Sequence, residues 1–563
     1  MKRILCFLLV MLVLAGCGNA VADPTEGTTG VTAGDSEIVV ESREIAFESR
    51  FGDETVITLS DEGVKAEGVN AMGVYSDNDI VYYEDRDCYD SGNPYGEGEL
   101  HERHSADEAA DHTVVHITKP GAYRVSGRLS AGQIAVDLGE DAYEDPNAVV
   151  ELILDGADIT CTVAPAIVFY NVYECDGAWS TDTAKAEVDT SKAGANLILA
   201  GGSENFANGS HVARIYKDKE GEKKLWKIDG AVYSFVSMNV YGPGALEITA
   251  DNEGLNSELH LTINGGDIAI RSGNDGINTN EDGVSVTTIN GGSLHIIAGL
   301  GEEGDGIDSN GYLVINGGTV VSSANPAADA GLDSDLGSFI NGGTVVALGS
   351  SMDWAESDSG QVTMNLQFAQ YCDSGSAIVV TREDGTVLFA YDPGADEVLG
   401  ENIRRYQGAI VSCGSFAVGE NYQVWLDGSI SGTETGGVYA EVTVYEGGTR
   451  MMYTGTDVVM RGPGGMGGFG GGERPGMPEG EMPTRPEGME PPEGFGGKEQ
   501  HGERPEGQQP PELPEGETMP EGFDPGPGRE QGGRMPGGEP GEGNSIFHMQ
   551  DKVNFFSGLT ALT

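Results

Sequence analysis

Basic residues are scarce in this 563-residue chain: 31 Lys and Arg stand against 91 Asp and Glu, a formal net charge of −60. So negative a chain repels phosphates at every approach, which excludes nucleic acid as a partner and disfavours the bare surface of an anionic membrane. Cysteine is also sparse, with seven residues in all. Those beyond Cys17 are Cys88, Cys161, Cys175, Cys372 and Cys413, an odd and scattered set. They make no disulfide framework, lack zinc-ligand spacing, and read as small buried hydrophobes. Aromatics reach only 7%, yet hydrophobics at 38% still allow a core and exclude a wholly disordered chain. What the chain has in excess is glycine, 88 residues, about twice the usual 7%.

The first residues read as a targeting signal. Lys2 and Arg3 form a basic start, and Ile4 to Leu14 is an apolar run of signal-peptide length. Leu14-Ala15-Gly16-Cys17 resembles the lipobox of bacterial lipoproteins. That resemblance implies cleavage before Cys17 and acylation of its thiol, holding an extracytoplasmic, cell-surface protein to the membrane by lipid alone. An ordinary secretory signal or an uncleaved anchor is the alternative.

Composition divides the rest of the chain. Residues 18–34 are small and polar, a flexible tether. Residues 462–544 hold 16 of the 24 prolines and 26 of the 88 glycines, with 17 acidic and six basic side chains. Such a stretch cannot bury enough apolar surface to offset its ordering entropy, so a disordered Gly/Pro/Glu-rich tail is expected. Between them, from about 35 to 461, lies enough chain for a large core.

That body repeats. Ile263-Asn264-Gly265-Gly266 recurs as Ile289-Asn290-Gly291-Gly292, Ile315-Asn316-Gly317-Gly318 and Ile340-Asn341-Gly342-Gly343. An alternating segment comes after each, as in Asp267-Ile268-Ala269-Ile270 and Thr344-Val345-Val346-Ala347. A second element recurs as Gly254-Leu255-Asn256-Ser257, Gly276-Ile277-Asn278-Thr279, Gly306-Ile307-Asp308-Ser309 and Gly331-Leu332-Asp333-Ser334. A period of about 20–30 residues indicates a solenoid. The units are β-branched and glycine-turned, with no 3.6-residue periodicity, which excludes leucine-rich repeats with helical returns. The expected fold is all-β: a right-handed parallel β-helix (β-solenoid) whose exposed end is closed by a terminal β cap, since a bare sheet edge is sticky.

The body then resembles the clostridial carbohydrate-binding β-helix family, surface proteins with a pectate-lyase-like fold. The resemblance rests on Gly121-Ala122-Tyr123-Arg124-Val125-Ser126-Gly127, Gly132-Gln133-Ile134, Leu154-Asp155-Gly156-Ala157-Asp158-Ile159-Thr160 and Asp229-Gly230-Ala231-Val232-Tyr233-Ser234. With the repeats from Gly254 to Gly343 it covers roughly residues 110–460. It implies binding of cellulose or acidic pectic chains, with calcium held in the β-helix. An acidic, Tyr-containing insert at about 76–111 and the long tail depart from the pattern. The expected organisation is a signal peptide (1–16), a tether (17–34), a carbohydrate-binding β-helix with its N-terminal cap (35–360), a C-terminal β cap (361–461), the tail (462–544) and a short last segment (545–563). Asn554-Phe555-Phe556 in that segment could dock back as a short strand.

Stacking the repeats predicts three polar columns. Glu253, Asp275 and Asp305 make one, interrupted by Ala330; Asn256, Asn278, Asp308 and Asp333 make another, with Asp335 beside it. Carboxylates about 5 Å apart must raise their pKa values, spread into water or share a cation. Hard oxygen ligands without His or Cys favour calcium, with Asp275, Asp305, Asp308, Asp333 and Asp335 as candidate ligands. A solvated acidic turn face without a specific ion is the competing reading. Asn264, Asn290, Asn316 and Asn341 make the third column, read as an amide ladder that satisfies the turn.

Sugar platforms usually use exposed aromatics. Tyr241, Tyr312 and Trp354 are the candidates, each with core or rim packing as its plainer role. Tyr75, Tyr82, Tyr83, Tyr89 and Tyr95 crowd the acidic insert. A lyase on the same fold would need a base beside a uronic acid, usually Arg or Lys. Residues 240–350 hold 15 acidic residues and one basic residue, Arg271. The function expected is therefore calcium-assisted polysaccharide binding without catalysis. The alternatives are a polysaccharide lyase and a structural or adhesion surface protein.

Overall fold

A computed structural model describes residues 36–39, 45–83, 102–177, 180–213, 227–457 and 543–562. The signal, Cys17, the tether, Cys88, Tyr89, Tyr95 and all but the last two residues of the Gly/Pro/Glu-rich stretch 462–544 lie outside them. The architecture is nearly all β. Among the described residues the one α-helix is Ala106–Ala110, capped by the Ser105 side chain, which accepts from the Glu108 backbone amide.

The repeat governs the pairing. The strand Met238–Tyr241 pairs in parallel with His260–Ile263, which pairs with Val286–Ile289, then Tyr312–Ile315, then Gly337–Ile340. A second row runs from Ala245–Ala250 through Asp267–Ser272, Ser293–Ile297 and Thr319–Ser323 to Thr344–Gly349. A third runs from Gly230–Ser234 through Glu253–Ser257, Ile277–Thr279 and Ile307–Ser309 to Leu332–Ser334. Each rung thus contributes one strand to each of three parallel rows.

The register stacks like on like. Val240, Ile263, Ile289, Ile315 and Ile340 form one apolar column, and Leu255, Ile277, Ile307 and Leu332 another, none more than 1% exposed. Each such side chain contributes about 1.5–3 kcal/mol by leaving water. The second glycine of every Ile-Asn-Gly-Gly tetrad has a positive φ, from +84° at Gly318 to +107° at Gly266. A Cβ at Gly292, Gly318 or Gly343 would also meet the carbonyl of the equivalent glycine one rung below at 2.6 Å. Glycine is required there twice over.

The last strand of the second row is closed by an antiparallel partner, Tyr406–Ser412, the inner edge of a separately cored unit built on Met364, Leu366, Phe389, Tyr406 and Phe556. The chain's final segment is integral to that unit. Val553–Ala561 pairs in parallel with Thr363–Cys372, and Phe547, Met549 and Phe556 are buried. Tyr453 and Asn544 exchange two backbone hydrogen bonds of 2.9 Å. The described residues on either side of the Gly/Pro/Glu-rich stretch thus meet at one point of the fold.

Candidate functional site

Two polar features run along the repeats on different rows. The first runs along the Ile-Asn-Gly-Gly turns. Asn290 Nδ2 donates to Asn264 Oδ1 at 2.9 Å, Asn316 Nδ2 to Asn290 Oδ1 at 2.9 Å and Asn341 Nδ2 to Asn316 Oδ1 at 3.0 Å. The Gly360 amide ends the series on Asn341 Oδ1 at 2.8 Å. A primary amide carries donor and acceptor together, so identical side chains satisfy one another without limit of length. Asn264 is buried, Asn290 and Asn316 are half-buried and Asn341 is exposed, so the ladder surfaces as it climbs.

Beside it, on the outward face of the strands, stand Thr262, Thr288 and Val314 in register. Ladder and column form the floor of a groove of about 580 Å³. One wall is Lys185–Ser191, fixed by Thr190, whose hydroxyl donates to Asn239 Oδ1 at 2.7 Å and lies 2.7 Å from the Thr262 hydroxyl. The other includes Ile45, whose backbone amide donates to the Asn264 carbonyl at 2.8 Å. Arg50 ties the two walls, donating from Nη2 to the Ser191 carbonyl at 2.7 Å. Tyr241 closes one end with Phe47 against it, ring centroids 4.9 Å apart.

The second feature is the acidic row. Glu253 is buried and accepts from the side-chain amides of Asn256 and Asn278. Asp275 is 8% exposed, and its Oδ1 accepts from the Asp305 backbone amide at 2.7 Å. Asp305 Oδ1 accepts from the Ala330 amide at 2.6 Å. Each of these two carboxylates thus holds the backbone of the next rung. The row begins inside the protein at Glu253 and Asp275, is half-buried at Asp305, Asp308 and Asp333, and reaches solvent at Asp335. Burial, with Asp229 nearby, raises Glu253 to about 8. Burial, then Glu253, Asp308 and Asp305, raises Asp275 well above the usual range. Burial and the Asp333 charge raise Asp305 to about 7. Asp308 and Asp333 continue the column of Asn256 and Asn278 in register. Asp333 Oδ1 accepts from the Ser334 amide at 3.0 Å, and Asp335 comes where the row meets the next strand.

The donor chemistry of this row fits a hard cation: carboxylates, plus two buried amide oxygens without a hydrogen-bond partner, Asn256 Oδ1 and Asn278 Oδ1. Among the described residues, no three His, Cys, Asp or Glu side chains converge as a metal-holding group. An ion here would draw on amide oxygens and water as well as on the carboxylates.

Of the three aromatic candidates, one borders the groove directly. Tyr241 lines the groove, Tyr312 is half-buried with Phe339 at 6.2 Å, and Trp354 packs edge-on to Phe555 at 5.0 Å. In the acidic insert, Tyr75 stacks on His116 at 4.5 Å while Tyr83 is buried. Arg271 is tied up: its guanidinium pairs with Glu247, and its Nε donates to the Val398 carbonyl at 3.1 Å. His260 and His295 are buried, facing Asp176 and Ser293 respectively.

Several site residues escape a sequence reading. Lys185–Ser191 falls between repeats, and Ile45 and Arg50 precede them, so no period points to either wall. Asp353 is another, accepting from Ser334 Oγ at 2.8 Å, with burial and Asp333 raising it to about 7. No helix among the described residues is long and apolar enough to cross a membrane.

Residues 111–392, half of the chain, match the family of carbohydrate-binding domain-containing proteins, and the chain belongs to that family. A relative of that description from Acetivibrio thermocellus is 31% identical over 159 residues, 28% of this chain and 45% of the relative. The match thus spans less than half of that relative's length. A solved structure of a polysaccharide lyase-like protein from C. thermocellum, a gadolinium derivative, aligns over 53% of this chain and 93% of that one. Identity there is 21% and the TM-score 0.31, too low to carry an argument.

Proposed function

We propose that this member of the carbohydrate-binding domain family is a polysaccharide-binding surface lipoprotein, anchored outside the cytoplasm through Cys17 and without catalysis of its own. The observation that carries the reading is the groove along the asparagine ladder. Its floor repeats a hydrogen-bonding side chain at each rung, about 4.8 Å apart, close to the length of one sugar unit. A polymer of repeating units is the ligand for which a repeating floor gains at each step. The rows wind as a right-handed parallel β-helix of the clostridial type, which keeps the floor rigid and leaves little entropy to lose on binding.

Calcium is the cation we assign to the acidic row, its ligands drawn from Asp275, Asp305, Asp308, Asp333 and Asp335 along successive rungs, with no more than two carboxylates at any one ion and the Asn256 and Asn278 amide oxygens and water completing its shell. It would supply positive charge where burial makes the carboxylates costly. Arg271, engaged by Glu247 and Val398, is not free to act as an elimination base. The test is retention of the purified protein on insoluble cellulose and on immobilised polygalacturonate, against a protein-free control matrix. Retention on neither would refute the reading.

A further inference from the structure

Resting on the polysaccharide reading, we propose that the groove takes an uncharged glycan, laid along Asn290, Asn316 and Asn341 over Thr288 and Val314, and discriminates against polyuronates. Charge is the first argument. The groove's charged groups are Lys185 against Glu187 and Asp189 on the exposed part of one wall, with the Arg50 guanidinium bridging to that wall at Ser191. A polyuronate would bring a carboxylate with every unit to walls whose two cations are already matched by two anions, with no surplus positive charge to receive it.

Hydrogen-bonding capacity is the second. Asn290, Asn316 and Asn341 each use one N–H and one oxygen lone pair within the series, leaving one donor and one acceptor at each of these rungs. A hydroxyl both donates and accepts, so it matches an amide. A carboxylate in place of a hydroxymethyl group can only accept, so each uronate unit has one donor fewer to offer the free acceptors of the ladder.

Separation from the acidic row is the third. The carboxylates a cation could bridge to a uronate belong to the row Glu253–Ser257 through Leu332–Ser334, whereas the groove lies on the row His260–Ile263 through Gly337–Ile340. Asp275 is, besides, buried and engaged with the next rung's backbone. A calcium ion in that row would hold the fold without lending charge to the groove. Four ladder rungs span about 14 Å, room for roughly three sugar units.

The experiment is calorimetric titration of the whole mature chain with a β-1,4-linked glucose hexasaccharide and with a galacturonate hexasaccharide, each with and without calcium. The neutral probe should bind with an affinity independent of salt. Asn316→Ala should weaken it about tenfold, and Thr288→Ala, which leaves the ladder intact, about threefold. Thermal melting of both variants separates a lost contact from a lost fold. Binding of the galacturonate probe that both variants weaken, with no binding of the neutral one, would overturn the inference and leave the polysaccharide reading standing. Neutral binding untouched by either variant would also overturn it, by placing the site elsewhere. No binding of either probe, with no retention on insoluble polysaccharide, would fail the reading beneath it.

Discussion

The asparagine ladder and the acidic row are built by the same repeat, at the same spacing, and differ in the atoms they stack. An amide placed over an amide finds a donor facing an acceptor, so the ladder from Asn264 to Asn341 closes on itself at 2.9–3.0 Å per step. A carboxylate placed over a carboxylate finds only acceptors and like charge. Asp275 and Asp305 therefore turn to backbone amides of the next rung, and the result is a line of raised pKa values. Stacking makes a side chain's own chemistry collective: it cancels for amides and accumulates for acids.

The largest expected effect comes from titrating the row. Glu253, Asp275 and Asp305 have folded-state pKa values above those of the unfolded chain, so the folded state holds protons more tightly. Their contribution is full below about pH 4, and is lost as pH rises through 7 to 8, at about 1.4 kcal/mol per pH unit for each proton concerned. Without divalent cations the protein should lose about 3 kcal/mol or more between pH 5 and pH 8, measured by denaturant unfolding at each pH. Calcium should restore most of that at pH 8 and little at pH 5. A flat profile that ignores chelator would erase the contrast between the two features.

Making the ladder resemble the row is the next largest change. Asn290→Asp sets a carboxylate oxygen against Asn264 Oδ1 in place of a donor. It should cost about 2–3 kcal/mol at pH 7 and less at pH 4, where the acid can donate. Making the row resemble the ladder acts in the other direction. Asp305→Asn with Asp308→Asn keeps an acceptor for the Ala330 amide while removing charge. The double variant should lose about half the calcium-induced rise in melting temperature and become less sensitive to alkaline pH. The smallest effect belongs to Cys17→Ser, which touches neither feature. Its melting temperature should match the parent's, while fractionation moves the protein from membrane to medium and fatty-acid labelling disappears.

Much of this contrast is legible in the sequence because a period of about 26 residues puts equivalent positions in one column before any coordinate is known. The Asn264, Asn290, Asn316 and Asn341 column emerges from alignment of the tetrads, whereas Asn256, Asn278, Asp308 and Asp333, at uneven steps of 22, 30 and 25, are aligned by their own recurring Gly-Leu/Ile-Asn/Asp-Ser/Thr element. The period does not say which side of a turn is buried, so the acidic row reads equally well as a solvated face. Nor does it reach residues outside the repeat. The groove walls at Ile45 and Lys185–Ser191 are single-copy segments whose position depends on the Thr190 and Arg50 hydrogen bonds. The last strand is similar: Asn554-Phe555-Phe556 hints at it, but its nine-residue extent is set by the partner strand Thr363–Cys372.

Binding without turnover is the central claim, and one measurement addresses it directly. The purified mature protein is incubated with polygalacturonate and with cellulose in the presence of calcium, while retention on the polymer and the appearance of unsaturated and reducing ends are monitored together. The account predicts saturable retention on polysaccharide with neither kind of new chain end at any incubation time. Release of unsaturated oligosaccharides that grows with time and enzyme concentration and stops with chelator would contradict it.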